Sequence, residues 1–259
     1  MLWHDLVEIY QYRDLLKNLV IRDLTVRYKR SFFGYLWTML NPLINTIVLT
    51  IVFSTAFRFQ MKDFIIYFLS AFLLWNFFAQ STMLSSRAIL KNGEIFKKIY
   101  VPKGIFVLSI VVAELINFAF ALVPMFLVLL VMRHSLSWSL LFLPVAVGCT
   151  VFFTLGISLC LAAVAVYFYD IIDGYQVLLL PWMYLTPIVY PLEIVPKQFL
   201  PLIKLNPFYY LVECFRVPIY GGQLPEGGII AWAAVAAAAS FALGYLIFAR
   251  RVDDFIFYG

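Results

Sequence analysis

The amino-acid sequence predicts an all-α integral membrane protein with six transmembrane helices in a single domain over residues 1–259. Three observations predict this class. Apolar residues make up 64% of the chain and charged residues 13%, whereas a soluble domain has about 45–50% apolar and about 25% charged residues. Several stretches without charge are long enough for a membrane-crossing helix, which needs about 20 residues. Lys and Arg are concentrated in alternate segments between those stretches, as the positive-inside rule requires.

The six charge-poor stretches give the predicted spans, which are 31–57, 64–86, 105–132, 139–168, 174–192 and 228–249. The third span contains one formal charge, Glu114. The fifth span is the least regular, because Pro181, Pro187 and Pro191 remove backbone donors that cannot be replaced by water inside a bilayer.

The distribution of basic residues predicts the orientation. Most of the 19 Lys and Arg residues fall in segments 1–30 and 87–103 and in the tail after residue 249. Basic residues mark the cytoplasmic side of a membrane protein. We therefore expect a multi-pass protein of the cytoplasmic membrane with both termini in the cytoplasm.

Segment 1–30 has apolar residues near helical spacing with basic residues between them. This pattern predicts an amphipathic helix that lies in the cytoplasmic interface. The alternative is a soluble leader that packs on the transmembrane domain.

Segment 87–103 is too polar to span a membrane. Ile95, Phe96, Ile99 and Tyr100 share one helical face, and Pro102 ends that helix. An exposed apolar face on a short cytoplasmic helix favours docking to a partner. The alternative is a solvated loop whose aromatic residues anchor it.

Segment 193–226, on the outer side, is rich in Pro, Tyr and Phe. We interpret it as short re-entrant helices between spans five and six, shielded by protein. The alternative is a seventh, kinked span, which would place Arg250 and Arg251 outside, against the charge rule.

No catalytic motif is present in the sequence. It has no Walker-type phosphate loop, no His-Glu-x-x-His and no Gly-x-Ser-x-Gly. The three cysteines have no metal-ligand spacing. We expect no enzyme activity, metal or cofactor in this chain, so any ATP would be hydrolysed by a separate subunit. A membrane-embedded transferase is the alternative, with Asp170 and Asp173 as its acid pair.

Glu114 and Asn117 are three residues apart and share one face of the third span. An ionisable group at membrane depth is expensive and indicates a functional site. We expect a polar lining or an inter-helix hydrogen bond there. Aromatic residues make up 19% of the chain, which is typical of interfacial belts and also suits a pore in which sugar rings slide over aromatic faces.

Four segments, taken together and in order, resemble the permease subunits of ABC-type polysaccharide exporters. They are RDLTVRYKRSFFGYLW over 22–37 followed by Asn41 and Pro42, then Tyr169 with Asp170, TPIVYP over 186–191, and LNPF over 205–208. The sequence departs from the family at Phe33, where Leu is usual, and at Tyr169, where Arg is usual.

The resemblance implies that two copies of this chain pair with two ATPase subunits, which hold the ATP and Mg. It assigns residues to three sites. ATPase coupling falls to Glu94, Ile95, Phe96, Lys97, Lys98 and Tyr100. The substrate entrance and channel comprise Arg30, Phe32, Phe33, Gly34, Tyr35 and Trp37. The outer gate comprises Pro187, Tyr190, Asn206, Pro207 and Tyr209.

The resemblance further implies export of a lipid-linked polysaccharide, above all O-antigen for lipopolysaccharide, across the bacterial inner membrane. Teichoic acid, capsule or a small lipophilic drug or lipid are alternative cargoes for the same architecture. No nucleic-acid partner is expected.

Overall fold

The computed structural model describes residues 8, 10–28, 34, 36–55, 63–96, 101–135 and 137–251. This part of the chain is helical and contains no strand. Its α-helices are α1 (Arg13–Tyr28), α2 (Leu36–Thr55), α3 (Phe64–Ser86), α4 (Ala88–Lys91), α5 (Gly93–Phe96), α6 (Gly104–Val131), α7 (Leu143–Ala165), α8 (Asp170–Leu185), α9 (Leu200–Leu205), α10 (Pro207–Arg216) and α11 (Gly227–Arg251).

Four helical segments are long and apolar enough to cross a membrane. They are α3, α6, α11, and α7 together with the 3₁₀ turn Trp138–Phe142 that precedes it. In α2 the apolar stretch Leu36–Val52 is shorter. The prediction of an all-α membrane protein is therefore confirmed.

Helix α8 differs from the predicted fifth span, 174–192. It begins at Asp170, and the acidic residues of its first turn complement the positive end of the helix dipole. It ends at Leu185 because Thr186 precedes Pro187, and a residue before proline is pushed out of the helical region. Thr186 is accordingly extended, with φ −97° and ψ 130°.

Helix α1 covers the described part of the predicted interface helix. Its apolar face packs against the rest of the protein, since Leu19 is buried in a cluster with Phe106 at the start of α6. Leu15 and Leu16 pack against the same cluster. The opposite face, which includes Tyr10 and Lys17, is exposed.

Two hydrophobic clusters form the interior. The larger one lies between α3, α6, α7 and α10 and is rich in aromatic residues, with Phe78 in ring contact with Trp75, Phe153, Trp182 and Phe208. The smaller one, which we call the Phe106 cluster, comprises Leu19, Ala88, Ile89, Val101, Ile105, Phe106, Val107, Leu159, Ala162, Ala163, Val166 and Phe248.

Helices α7 and α11 approach each other at backbone distance. A Cβ placed on Gly244 would overlap the carbonyl oxygen of Gly156, and one on Gly156 would overlap the backbone of Ser240. The Ser240 hydroxyl donates a 2.8 Å hydrogen bond to the carbonyl of Phe153. Small residues permit such close helix packing in membranes.

The described parts of predicted segments 87–103 and 193–226 contain short helices. Residues 87–96 include α4 and α5, each a single turn, and α6 begins at Gly104. Segment 193–226 forms α9 and α10, followed by the π turn Val217–Gly221. Asn206 separates α9 from α10 and caps the second of them.

Candidate functional site

A cavity of about 380 Å³, with seven polar residues in its lining, lies between α2, α3 and α6. These three helices are otherwise strongly apolar, so a cluster of polar side chains between them is a distinctive feature. We call it the carboxamide groove, after the amide side chains on its wall. It is lined by Trp37, Thr38, Asn41, Pro42, Asn45, Phe72, Leu73, Asn76, Phe77, Gln80, Glu114, Asn117, Phe118 and Ala121.

The polar residues of the groove recur at helical spacing. Asn41 and Asn45 are one turn apart on α2, and Asn76 and Gln80 are one turn apart on α3, so each pair shares a face. The Asn45 Nδ2 donates to Asn41 Oδ1 at 2.7 Å and to the Asn41 carbonyl at 2.8 Å. These two hydrogen bonds hold the Asn45 side chain against Asn41 at the groove wall.

The groove brings together residues that the sequence assigned to two different roles. Trp37, predicted at the substrate entrance, lines the same cavity as Glu114 and Asn117, the predicted intramembrane polar pair. Glu114 and Asn117 are buried, at 6% and 7% exposure. A buried polar group must be satisfied by other polar groups, which agrees with the polar lining expected at this point.

Sequence reasoning missed Asn45, Asn76 and Gln80. Their signal was present as amides at i and i+4 in the charge-free first and second spans. A search limited to formal charges overlooks carboxamides, although these are also costly in lipid.

The other predicted entrance residues are only partly described. Gly34 has φ +49°, a left-handed conformation that a residue without a Cβ adopts at no steric cost. Arg30, Phe32, Phe33 and Tyr35 lie outside the described residues.

The predicted coupling residues start on α5. Glu94, Ile95 and Phe96 belong to this helix, and the Ile95 side chain is half-buried against the Phe106 cluster. Lys97, Lys98 and Tyr100 lie outside the described residues. The turn before α5 is held to α1, because Arg22 Nη1 donates to Asn92 Oδ1 at 3.4 Å.

Asn206, predicted at the outer gate, connects three elements. Its Oδ1 accepts from the backbone N–H of Phe208 at 3.1 Å, which caps α10, and from Trp182 Nε1 at 2.9 Å. Its Nδ2 donates to Thr186 Oγ1 at 2.8 Å. Asn206 therefore holds the extended segment after α8 against α10, and Pro207 suits the first position of that helix.

A second connection to the same extended segment comes from Arg216, a residue that sequence reasoning did not single out. Arg216 is 4% exposed and donates through Nη1 to the Pro187 carbonyl at 2.6 Å. It forms an ion pair with Glu213. Its guanidinium lies 4.0 Å from the centre of the Tyr67 ring. A Glu and an Arg at i and i+3 in an apolar segment were the available signal.

Tyr67, on α3, completes this arrangement. Its hydroxyl donates to the carbonyl of Tyr190 at 3.0 Å and to that of Pro187 at 3.3 Å. We call Tyr67, Glu213 and Arg216 the outer clamp, because Tyr67 and Arg216 hydrogen-bond the backbone of 187–190 and Glu213 pairs with Arg216. The predicted gate residues Pro187, Tyr190 and Asn206 thus lie on one polar network.

Two tyrosines of this region act as hydrogen-bonding or buried polar groups. Burial, together with the nearby Glu213 charge, raises the pKa of Tyr209 to about 12. The Tyr190 hydroxyl donates to the Tyr184 carbonyl at 2.6 Å.

The described part of the chain carries several groups suited to binding. No cluster of His, Cys, Asp or Glu suited to a metal ion occurs among those residues. The groove provides amides, a carboxylate and aromatic faces between membrane helices, and the outer network provides a braced segment of backbone.

The sequence model of the ABC-2 type transporter family matches residues 14–220. The O-antigen export system permease protein RfbA of Myxococcus xanthus is 32% identical over 250 residues, which are 95% of this chain and 96% of the relative. A protein of the same name from Klebsiella pneumoniae is 32% identical over 82% of each chain. The polysialic acid transport protein KpsM of Escherichia coli is 24% identical over 91% of this chain and 92% of its own.

The family match runs from α1 to residue 220, within the π turn Val217–Gly221, and the Myxococcus relative aligns over 95% of the chain. The matched region therefore includes the carboxamide groove, helices α4 and α5, and the outer clamp. On this evidence the chain is a membrane protein that belongs to the ABC-2 type transporter family.

Proposed function

We propose that this protein is the permease subunit of an ATP-driven exporter that moves a lipid-linked polysaccharide of the O-antigen class across the bacterial cytoplasmic membrane. The observation that carries the proposal is the alignment with an O-antigen export permease over 95% of this chain at 32% identity. The polar groove between apolar helices supports a transport role, because polar groups at membrane depth line substrate pathways.

The proposed topology has six spans, with α2 and α8 added to the four long apolar segments. Helix α8 has 16 residues and rises about 24 Å, whereas the hydrocarbon core is about 30 Å thick. The extended segment after Leu185 then completes the crossing, braced by Asn206 and the outer clamp. Both termini and the α4–α5 turn face the cytoplasm.

The proposed complex contains two copies of this chain and two copies of an ATPase. ATP and Mg bind to the ATPase, and its closure moves the α4–α5 turn through Glu94, Ile95, Phe96, Lys97, Lys98 and Tyr100. The entrance comprises Arg30, Phe32, Phe33, Gly34, Tyr35 and Trp37. The outer gate comprises Pro187, Tyr190, Asn206, Pro207 and Tyr209. The ATPase must contact the permease differently in its different nucleotide states in order to shift the conformational equilibrium of the permease.

Deleting the gene in its native bacterium tests the proposal. We expect loss of the long polysaccharide from the cell surface and its accumulation inside on the lipid carrier. Restoring the wild-type chain should restore export, and an affinity tag on it should co-purify an ATPase. Unchanged surface polysaccharide together with a chain that purifies without an ATPase would reject the proposal.

Capsule export is a second candidate, favoured by the 24% identity to the polysialic acid transport protein over 91% of this chain. The same deletion separates the two candidates, because the chemical composition of the lost surface polymer identifies it as O-antigen or capsule.

A further inference from the structure

The carboxamide groove lies at one depth on all three helices. At a rise of 1.5 Å per residue, Asn41 and Asn45 lie about 8–14 Å from the start of α2. On the same basis, Asn76 and Gln80 lie about 9–15 Å from the end of α3, and Glu114 lies about 15 Å from the start of α6. These helix ends face the same predicted side, the cytoplasm. The polar groups therefore form a layer within the membrane rather than an extension of its surface.

Lipid chains are a poor occupant for this layer. An amide placed in hydrocarbon without a hydrogen-bond partner costs free energy, and polar groups at this depth are tolerated where they face a protein interior or a watered cavity. Val48, on α2, is 53% exposed and is absent from the groove lining, so the same helix also presents an apolar face. Two different surroundings on one helix indicate that the amide face meets a polar occupant.

The side chains define the chemistry of that occupant. A carboxamide has two donors and an acceptor, so it matches a hydroxyl group, which both donates and accepts. The rings of Trp37, which is 47% exposed, and Phe72 offer flat apolar surfaces that match the C–H face of a sugar ring. None of the described lining residues is basic, so this wall offers no counter-charge to a phosphate or carboxylate.

The cavity has a suitable size for a ligand. Its volume of about 380 Å³ falls in the usual range of ligand sites, about 300–1,000 Å³. Its walls come from α2, α3 and α6.

We propose that the carboxamide groove binds an uncharged, hydroxyl-rich sugar residue. Asn41, Asn45, Asn76 and Gln80 hydrogen-bond the hydroxyls, and Trp37 stacks on the ring. The inference deepens the proposed export function and rests on it, because the cargo glycan supplies the sugar.

Cysteine protection in the native host tests the groove directly. The three natural cysteines, Cys149, Cys160 and Cys214, are first replaced by alanine, and then Asn45→Cys or the matched control Val48→Cys is introduced on α2. We expect a water-soluble maleimide, added to inverted membrane vesicles, to label N45C at least tenfold faster than V48C. Glycan synthesis in the host should slow the labelling of N45C several-fold, relative to vesicles from a glycan-deficient strain.

Measuring surface polysaccharide in the same strains distinguishes a failure of the groove inference from a failure of the proposed export function. If the cysteine-free chain restores export while N45C is labelled no faster than V48C, or at one rate with and without glycan, the groove inference is wrong and the export function stands. If the wild-type chain restores no export in the deletion strain, the export function itself fails.

Substitution supplies a second readout. Asn45→Leu with Asn76→Leu should lower surface polysaccharide about tenfold at unchanged protein level and unchanged ATPase co-purification, whereas Val48→Leu should leave all three unchanged. Normal export by the double variant would overturn the sugar-binding role.

Discussion

The Arg216 guanidinium lies 4.0 Å from the centre of the Tyr67 ring while it donates to the Pro187 carbonyl at 2.6 Å. One buried cation thus connects α3, α10 and the extended segment that follows α8. Arg216 is 4% exposed and its partner Glu213 has a side chain 13% exposed. Removing one member of such a pair leaves an uncompensated buried charge, which is far more costly than losing a surface ion pair.

We therefore predict that Arg216→Met destabilises the protein by about 3–5 kcal/mol, because it leaves the Glu213 carboxylate buried without its partner. Thermal unfolding in detergent measures the loss. Arg216→Met combined with Glu213→Leu should be less damaging than the sum of the two single changes, since it removes both charges. Additive losses would show that the two residues act independently.

Asn206→Ala should lower stability by about 1–3 kcal/mol, because it removes the cap of α10 and leaves Thr186 and Trp182 without this partner. Asn206→Asp is the matched variant. It keeps the acceptor that caps the helix and loses the donor to Thr186 Oγ1, so its unfolding temperature should fall between those of wild type and N206A. An N206D unfolding temperature equal to that of wild type would contradict a separate contribution from the hydrogen bond to Thr186.

Gly156 and Gly244 set the distance between α7 and α11. Gly244→Ala should destabilise the protein by about 1–3 kcal/mol, because its Cβ would overlap the Gly156 carbonyl and force the helices apart. Gly148→Ala, also on α7, is the control: a Cβ there meets nothing within 4 Å, and alanine favours a helix over glycine. Protein yield and unfolding temperature should fall for G244A and hold or rise for G148A.

The double change Lys97→Glu and Lys98→Glu tests the coupling segment. Reversing both charges should uncouple the permease from its ATPase and abolish the stimulation of ATP hydrolysis. Lys91→Glu, an exposed residue on α4, reverses one charge in the same segment and should have a smaller effect. Normal export by the double variant would rule out docking through Lys97 and Lys98.

Several features of the fold follow from local sequence. The charge-free run 64–86 coincides with α3, because length and hydropathy suffice to define a membrane helix. Thr186 before Pro187 ends α8 through a steric effect between neighbouring residues. Glu114 and Asn117 share a face because their spacing matches the helical repeat, and both line the groove.

Other features depend on residues that are distant in the sequence. The amide pair on α3 faces the pair on α2 only through helix packing, and Tyr67 meets Arg216 across most of the chain. The α1 helix shows the same dependence. Its apolar pattern suits a lipid interface and a protein surface equally, and the structure buries Leu19 within the Phe106 cluster.

The sequence by itself determined that this protein is helical, membrane-embedded and related to polysaccharide exporters. Hydropathy, helical periodicity and the order of motifs can all be read from the linear sequence without knowing which helices pack together. The tertiary structure alone decided that three polar faces enclose one groove and that a buried Arg braces the outer segment. The physical reason is that helical spacing fixes which residues share a face, whereas only packing between helices fixes which faces meet.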